Sequence, residues 1–113
     1  MNVLKINTLA EAEKAMKEIG VSTEGIEQMK KKAIHKVIKL KGLDIRAANI
    51  LKQQILSIGG DLACSKKASM LKGNKTDAIL MGTLKQYEQL IPKLEKQPYG
   101  LQKIKEKLKS ILI

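Results

Sequence analysis

Residues 33–60 read AIHKVIKLKGLDIRAANILKQQILSIGG, and this stretch decides the fold class. Its first part, Ala33–Leu40, mixes β-branched and other apolar residues with interrupting lysines, which is typical of a strand with one exposed side. Asp44 is then a suitable N-cap for a helix that runs to Ile58. A glycine doublet follows and ends that helix. A strand that leads directly into a helix predicts an α/β domain.

The predicted helix after Asp44 has two different faces. Arg46, Asn49 and Gln53 share its polar face, where a polar ligand could bind. A solvated helix face has the same spacing, so both interpretations stay open. Its apolar stripe is formed by Ala47, Ala48, Leu51, Ile55 and Ile58.

The sequence before residue 33 predicts one strand and two helices. Val3–Ile6 is a short β-prone run. Thr8, with Glu11 three residues later, has the spacing of a capping box and opens a first helix that ends at Gly20. A second short helix is expected at about residues 24–32.

The sequence after residue 60 predicts three more strands and another helix. Leu62–Ser65 and Ala68–Leu71 are short strand-like pieces joined by two lysines. The continuous apolar run at residues 78–81 predicts a strand that is buried on both faces. Thr83 and Gln86 again have capping-box spacing.

The last third of the chain predicts two helices around a proline. Pro92 lies inside the helix that starts at Thr83, and we expect it to kink that helix or to split it at Ile91. Residues 101–111 form a final amphipathic helix with a lysine-rich outer face. We therefore predict one α/β domain over residues 1–113, a two-layer sandwich of helices on a small mixed sheet of about four strands.

Charge is the most unusual feature of the composition. The 113 residues carry 22 Lys and Arg against 11 Asp and Glu, a formal net charge of +11. Such an excess favours polyanions or an acidic partner, but we interpret most of these scattered lysines as solvated surface. Tyr87 and Tyr99 are the only aromatic residues, so base-stacking platforms are excluded. Nucleic-acid binding is expected to be weak and non-specific.

No complete catalytic or metal site is recognisable in the sequence. Cys64 and His35 are the only cysteine and histidine, and they fall on different predicted strands. Nucleophilic catalysis would need a third group that orients the pair, so a structural Cys64 is the simpler interpretation. One Cys and one His cannot build a structural zinc site, and we expect neither a metal nor a cofactor. The lone thiol, the lack of a signal-peptide pattern and the lack of a membrane-spanning run predict a cytoplasmic protein without a membrane partner.

Two glycine junctions are candidate ligand sites. A glycine at a strand end before a helix N-terminus presents free backbone N–H groups to an anion, although ordinary helix caps have the same pattern. Gly82 in addition is expected to need positive φ or a close backbone approach. The candidate ligand or interaction residues are therefore Arg46, Asn49, Gln53, Gly59, Gly60, Gly82, Thr83 and Lys85.

Three segments resemble the N-terminal extension of long-form bacterial dihydropteroate synthases, which precedes their pterin-binding (β/α)8 barrel. They are Gly42–Gln53, Leu56–Asp61 and Thr76–Tyr87, and Gln97–Leu101 continues the match. The resemblance extends over Ile34–Leu108 and combines glycines with unusual polar residues in one order.

The resemblance implies a function without catalysis. The barrel that binds the pterin diphosphate and 4-aminobenzoate is absent from this chain, so none of its residues can be transferred. We expect an accessory or interaction domain of folate biosynthesis that contacts a dihydropteroate synthase barrel or a second copy of itself. The alternatives are a small basic nucleic-acid-binding protein and a small-ligand-binding domain that uses the two glycine junctions.

Overall fold

A computed structural model describes residues 1–112 of the chain. Within these residues a 3-10 turn, Lys30–Ala33, separates two helices from the first strand. The strands are β1 (His35–Asp44), β2 (Asp61–Cys64) and β3 (Lys75–Thr83). The helices are α1 (Leu9–Glu18), α2 (Thr23–Met29), α3 (Ile45–Ser57), α4 (Lys66–Ser69), α5 (Leu84–Lys93) and α6 (Leu101–Ile111).

The three strands form one antiparallel sheet in the order β1-β3-β2. Leu80 in the central strand lies opposite Ile38 of β1 and Leu62 of β2. A bulge between Leu40 and Leu43 shifts the register of β1 and lets the strand continue past Gly42, where we expected it to end. The two-layer α/β class is confirmed, but the described sheet has three antiparallel strands and is not mixed.

The helices cover one face of the sheet and enclose an aliphatic core. Alternate residues of β3 and the apolar stripe of α3 meet there. Tyr87 is fully buried among them, and its hydroxyl lies 2.5 Å from the Lys36 carbonyl oxygen. The fully buried large side chains are Tyr87, Ile34, Leu51, Ile55, Leu62, Leu80, Leu90, Leu94 and Leu101.

The opposite face of the sheet is open, which corrects the prediction for residues 78–81. Ile79 remains 40% exposed and Val37 of β1 remains 64% exposed. The four apolar residues therefore do not lie in a strand buried on both faces. Within residues 1–112 no second helix layer packs against this side of the sheet.

Two predicted strands are absent for local reasons. Residues 3–6 do not pair with the sheet and are largely exposed, with only Ile6 packed against the core. At Ala68–Leu71 the Ser65 side chain instead caps a short helix by accepting a hydrogen bond from the Ala68 amide at 3.2 Å. Leu71 then takes a left-handed backbone conformation with φ of 58° and ends the turn.

The predicted helices are confirmed, with changes at their ends. Thr8, Asp44 and Thr83 all act as N-caps. The second helix ends at Met29, earlier than expected, and the lysines after it form the 3-10 turn. Pro92 does not split α5 at Ile91, because it lies in the last turn before the helix ends at Lys93. None of the helices in the described part of the chain is long and apolar enough to cross a bilayer.

Candidate functional site

Arg46 is held in place by two neighbours at the start of α3. The Asp44 carboxylate accepts hydrogen bonds from Arg46 Nε at 3.0 Å and from Nη2 at 2.7 Å. These bonds, together with one from the Arg46 amide, lower the pKa of Asp44 to about 2. The guanidinium also lies 4.0 Å from the centre of the Tyr99 ring. This stacking could not be predicted from the sequence, because Tyr99 lies in a loop 53 positions away.

Asn49 and Gln53 follow on the same helix but behave differently. The Asn49 amide group donates to the carbonyl oxygens of Ile45 at 2.8 Å and Ala68 at 3.1 Å. Asn49 therefore fastens α4 to α3, which is a structural role. The Gln53 side chain is exposed to solvent. The three predicted residues do not converge on one ligand-sized space.

The two glycine junctions are brought together by Gln86. Its side-chain oxygen accepts from the Thr83 amide at 2.9 Å, and its side-chain nitrogen donates to the Ile58 carbonyl at 3.2 Å. A Cβ on Gly59 would come within 3.0 Å of that nitrogen. The sequence identified Gln86 only as part of a capping box, and its bond to the end of α3 depends on tertiary packing.

Backbone donors at this junction are largely occupied by the protein itself. The Leu84 amide donates to the Ile34 carbonyl at 3.0 Å, and the Gln86 amide donates to Thr83 Oγ1 at 3.1 Å. Lys85 contacts the Glu88 carboxylate at 3.2 Å. The geometry is that of a packed joint between β3, α3 and α5, and it leaves few donors for an anion.

His35 and Cys64 are not brought together. His35 pairs with Thr83 at one end of β3, whereas Cys64 pairs with Ala78 and lies on the other side of the central strand. The Cys64 sulfur is 3.4 Å from Ser69 Oγ. No group of three His, Cys, Asp or Glu side chains within residues 1–112 has the arrangement of a metal site.

A groove lies between β1 and α6. It has a volume of about 780 Å³, within the range of roughly 300–1,000 Å³ that ligand sites occupy. Tyr99 and Gly100 lie at the start of α6, next to the groove, and both have positive φ, 63° and 88°. The apolar side chains that line the groove are those of Ile38, Leu40, Leu43, Ile104, Leu108 and Ile111.

The groove carries a strong excess of positive charge. Asp44 is the acidic residue that lines it, and Arg46 already neutralises that carboxylate. Within residues 1–112 none of the lining lysines has a carboxylate within 4.0 Å. An anionic partner would therefore gain ion pairs without breaking existing ones. The lysines that line the groove are Lys39, Lys41, Lys75, Lys103 and Lys107.

The sequence contained part of the signal for this groove. The lysines of residues 36–41 and 103–109 are visible as local concentrations of charge. We interpreted them as solvated surface because the sequence does not say that α6 lies beside β1. A sharper signal was available in the pair Lys103 and Lys107, which share one helix face because they are four residues apart.

Comparison with known proteins identifies three related bifunctional proteins. A probable folylpolyglutamate synthase/dihydropteroate synthase of Halobacterium salinarum is 33% identical over 107 residues, 95% of this chain and 13% of the relative. A dihydropteroate synthase/dihydropteroate reductase of Helicobacter pylori is 35% identical over 98 residues, 87% of this chain and 26% of the relative. A Haloferax volcanii protein with the same name as the first is 36% identical over 67 residues. No family model and no solved structure matches the chain.

The comparison confirms the resemblance that the sequence motifs indicated. The chain is related to proteins of folate biosynthesis that contain a dihydropteroate synthase, and it corresponds to a separate part of them. It spans about an eighth of the Halobacterium relative and about a quarter of the Helicobacter relative. The synthase named for these relatives is the activity that all three share.

Proposed function

We propose that the chain is a non-catalytic accessory domain that acts with a dihydropteroate synthase. One observation carries the proposal: nearly the whole chain, 95% and 87%, aligns with only 13% and 26% of two synthase-containing relatives. A domain of 113 residues is too short to contain a (β/α)8 barrel, which typically needs about 250 residues. The antiparallel sheet also differs from the parallel strands of such a barrel, which supports a part of these proteins that accompanies the barrel.

The geometry supports an interaction role more than a catalytic one. His35 and Cys64 lie too far apart on the sheet to activate each other, and the polar groups of the glycine junctions bond to one another. The groove between β1 and α6 offers unpaired cations beside apolar side chains, which suits a protein surface. The partner under this proposal is the synthase barrel, with a second copy of the chain as the other possibility considered.

An activity assay with a dihydropteroate synthase from the same cells tests the proposal. The chain alone is expected not to condense the pterin diphosphate with 4-aminobenzoate. Added to the synthase, it is expected to change kcat or KM and to co-elute with it in gel filtration. Condensation by the chain alone, or a synthase that neither binds the chain nor responds to it, would contradict the proposal.

A second candidate function is a contribution to the reductase activity that the name of the Helicobacter relative describes. The observation that favours it is the extent of the match, because a segment of 26% of that relative is too small for the synthase barrel and could belong to the second named activity. Reduction would require a hydride donor of the nicotinamide or flavin class.

The two functions are separated by a direct assay for reduction. The chain is incubated with a dihydropteroate and with a reduced nicotinamide or a reduced flavin, and the tetrahydro product is measured. If the domain is a non-catalytic accessory, the tetrahydro product should form no faster with the chain than with the hydride donor alone. Product that depends on the folded chain would favour the reductase function and overturn the non-catalytic one.

A further inference from the structure

The outer edge of β1 is open for hydrogen bonding. β1 is the first strand of the order β1-β3-β2, and no strand within residues 1–112 pairs with its other side. The Leu84 amide donates to the Ile34 carbonyl at 3.0 Å. This bond shows that the Ile34 carbonyl points toward the side of β3. Because every second residue of an antiparallel ladder points its backbone N–H and C=O groups to the same side, those of Ile38 and Leu40 also point toward β3. The N–H and C=O groups of Val37 and Lys39 therefore point away from β3.

The groove runs along this open edge. Seven consecutive residues of β1, Ile38 to Asp44, line it. Ile38, Lys39 and Leu40 precede the bulge and alternate between the two faces of the sheet, so a groove that all three line runs along the backbone edge there. Its opposite wall is α6, with Lys103 and Lys107 one helical turn apart. A groove between an edge strand and a helix is the geometry in which an extended peptide adds to a sheet.

The charges of the groove select the partner. Two copies that paired through β1 would place Lys39 and Lys41 of one copy against the same lysines of the other, which is unfavourable. An acidic strand would instead approach lysines on both walls of the groove, and none of these lysines has a carboxylate within 4.0 Å among residues 1–112. Charge complementarity thus favours an acidic extended segment over a second copy of the chain.

We propose that the groove between β1 and α6 binds an acidic, extended peptide segment that adds to the sheet as a fourth strand next to β1. Apolar side chains of this segment rest on Ile38, Leu40 and Ile104. The alternate side chains are carboxylates that face Lys39 and Lys41. This inference names the surface through which the proposed interaction would take place. It rests on the proposed function only for the identity of the natural partner.

The test uses the whole chain and synthetic peptides, so it does not depend on the synthase. The probe is a fluorescently labelled peptide of alternating Glu and Val, seven residues long and blocked at both ends, and binding is followed by anisotropy. Two analogues carry N-methyl groups, one on the Glu amides and one on the Val amides. An added antiparallel strand uses the Glu amides and a parallel strand uses the Val amides. One analogue is therefore expected to bind at least about tenfold more weakly.

Variants of the chain provide the second arm. Lys39→Pro removes an outward N–H, a change that edge strands tolerate, and Lys39→Ala is its control because it keeps that N–H. Lys103→Glu with Lys107→Glu reverses the charge of the α6 wall. Its matched control is Lys14→Glu with Lys17→Glu on α1, which makes the same change away from the groove. Circular dichroism checks that each variant is folded.

We expect Lys39→Pro to bind the peptide more weakly than Lys39→Ala does. The double charge reversal on α6 should lower the affinity for the peptide at least about tenfold, and the double charge reversal on α1 should lower it less. If Lys39→Pro fails to fold, strand addition is tested by the methylated analogues, and the location of the site is tested by the charge reversal on α6. Equal binding of the two methylated analogues and the unmodified peptide would overturn strand addition. Equal losses for the α6 and α1 pairs would overturn the groove as the site. Binding to the peptide without binding to a synthase would support the groove and contradict the proposed partner.

Discussion

Tyr87 links the two layers of the fold through its hydroxyl group. The side chain is fully buried, and burial raises the pKa of Tyr87 to about 12. Its hydroxyl lies 2.5 Å from the Lys36 carbonyl oxygen and 3.2 Å from that of Leu80. The neutral hydroxyl thus fastens α5 to β1 and β3 at the same point.

Removing this hydroxyl should weaken the protein measurably. Tyr87→Phe keeps the ring but removes the hydrogen bonding of the hydroxyl to these two carbonyl oxygens, which costs about 1 kcal/mol of unfolding free energy. Urea unfolding measures the change. Tyr99→Phe is the control, because the Tyr99 ring is partly exposed and can still stack on Arg46. Equal stability of Tyr87→Phe and the wild type would show that the hydroxyl bond contributes nothing.

Asp44 makes a pH-dependent contribution at the start of α3. The Arg46 side chain first, and then the Arg46 backbone amide, lower the pKa of Asp44 to about 2 from an ordinary value near 3.8. A lowered carboxylate pKa stabilises the native state above about pH 4, and this stabilisation is lost as the pH falls toward 2. An NMR titration should find this pKa, and Arg46→Gln should raise it toward the ordinary value. An Asp44 pKa near 3.8 in the wild type would contradict the Asp44–Arg46 geometry.

The turn between α3 and β2 is tightly packed at Gly60. A Cβ on Gly60 would lie 2.6 Å from the Met81 carbonyl oxygen and 2.7 Å from Ile55 Cγ1. The expectation of positive φ or a close backbone approach at Gly82 was wrong, because Gly82 does not have positive φ and a Cβ there would first meet the Gln86 side-chain oxygen at 3.1 Å. Close backbone approach occurs at Gly60 instead.

The two glycines should therefore respond differently to the same substitution. Gly60→Ala forces β3 and α3 apart and should cost about 1–3 kcal/mol of unfolding free energy. Gly82→Ala requires a shift of the Gln86 side chain, which strains its hydrogen bonds to Thr83 and Ile58, but no backbone has to move, so it should cost less. Thermal and urea unfolding of both variants measure the difference. A Gly82→Ala variant that is less stable than Gly60→Ala would reverse this assignment.

Elements with strong local signals were predictable, and tertiary arrangements were not. The capping residue Asp44 and the stripe of α3 fixed that helix because both are local. The short helix α4 was predicted as a strand, since four residues have no period and the Ser65 cap decided the outcome. The groove could not be predicted from sequence, because it exists only where α6 packs beside β1. The eight candidate site residues remain predictions without a tested ligand.

At the scale of the whole molecule, the net charge of +11 predicts non-specific attraction to nucleic acids. Density of charge alone gives complexes with dissociation constants of roughly 10⁻⁴ to 10⁻⁶ M near physiological salt, and they weaken steeply as salt is added. We expect no preference among unrelated DNA and RNA probes in anisotropy titrations. One probe held tightly and selectively at physiological salt would favour a nucleic-acid-binding protein over an accessory domain.

The most direct measurement for the account as a whole is an NMR titration of the ¹⁵N-labelled chain with unlabelled dihydropteroate synthase from the same cells. We predict a saturable complex, with the largest changes in the amide signals of Val37 to Lys41 and of α6. Signals of α1, away from the groove, should change least. Absence of a complex, or a complex that leaves the β1 and α6 signals unchanged, would contradict it.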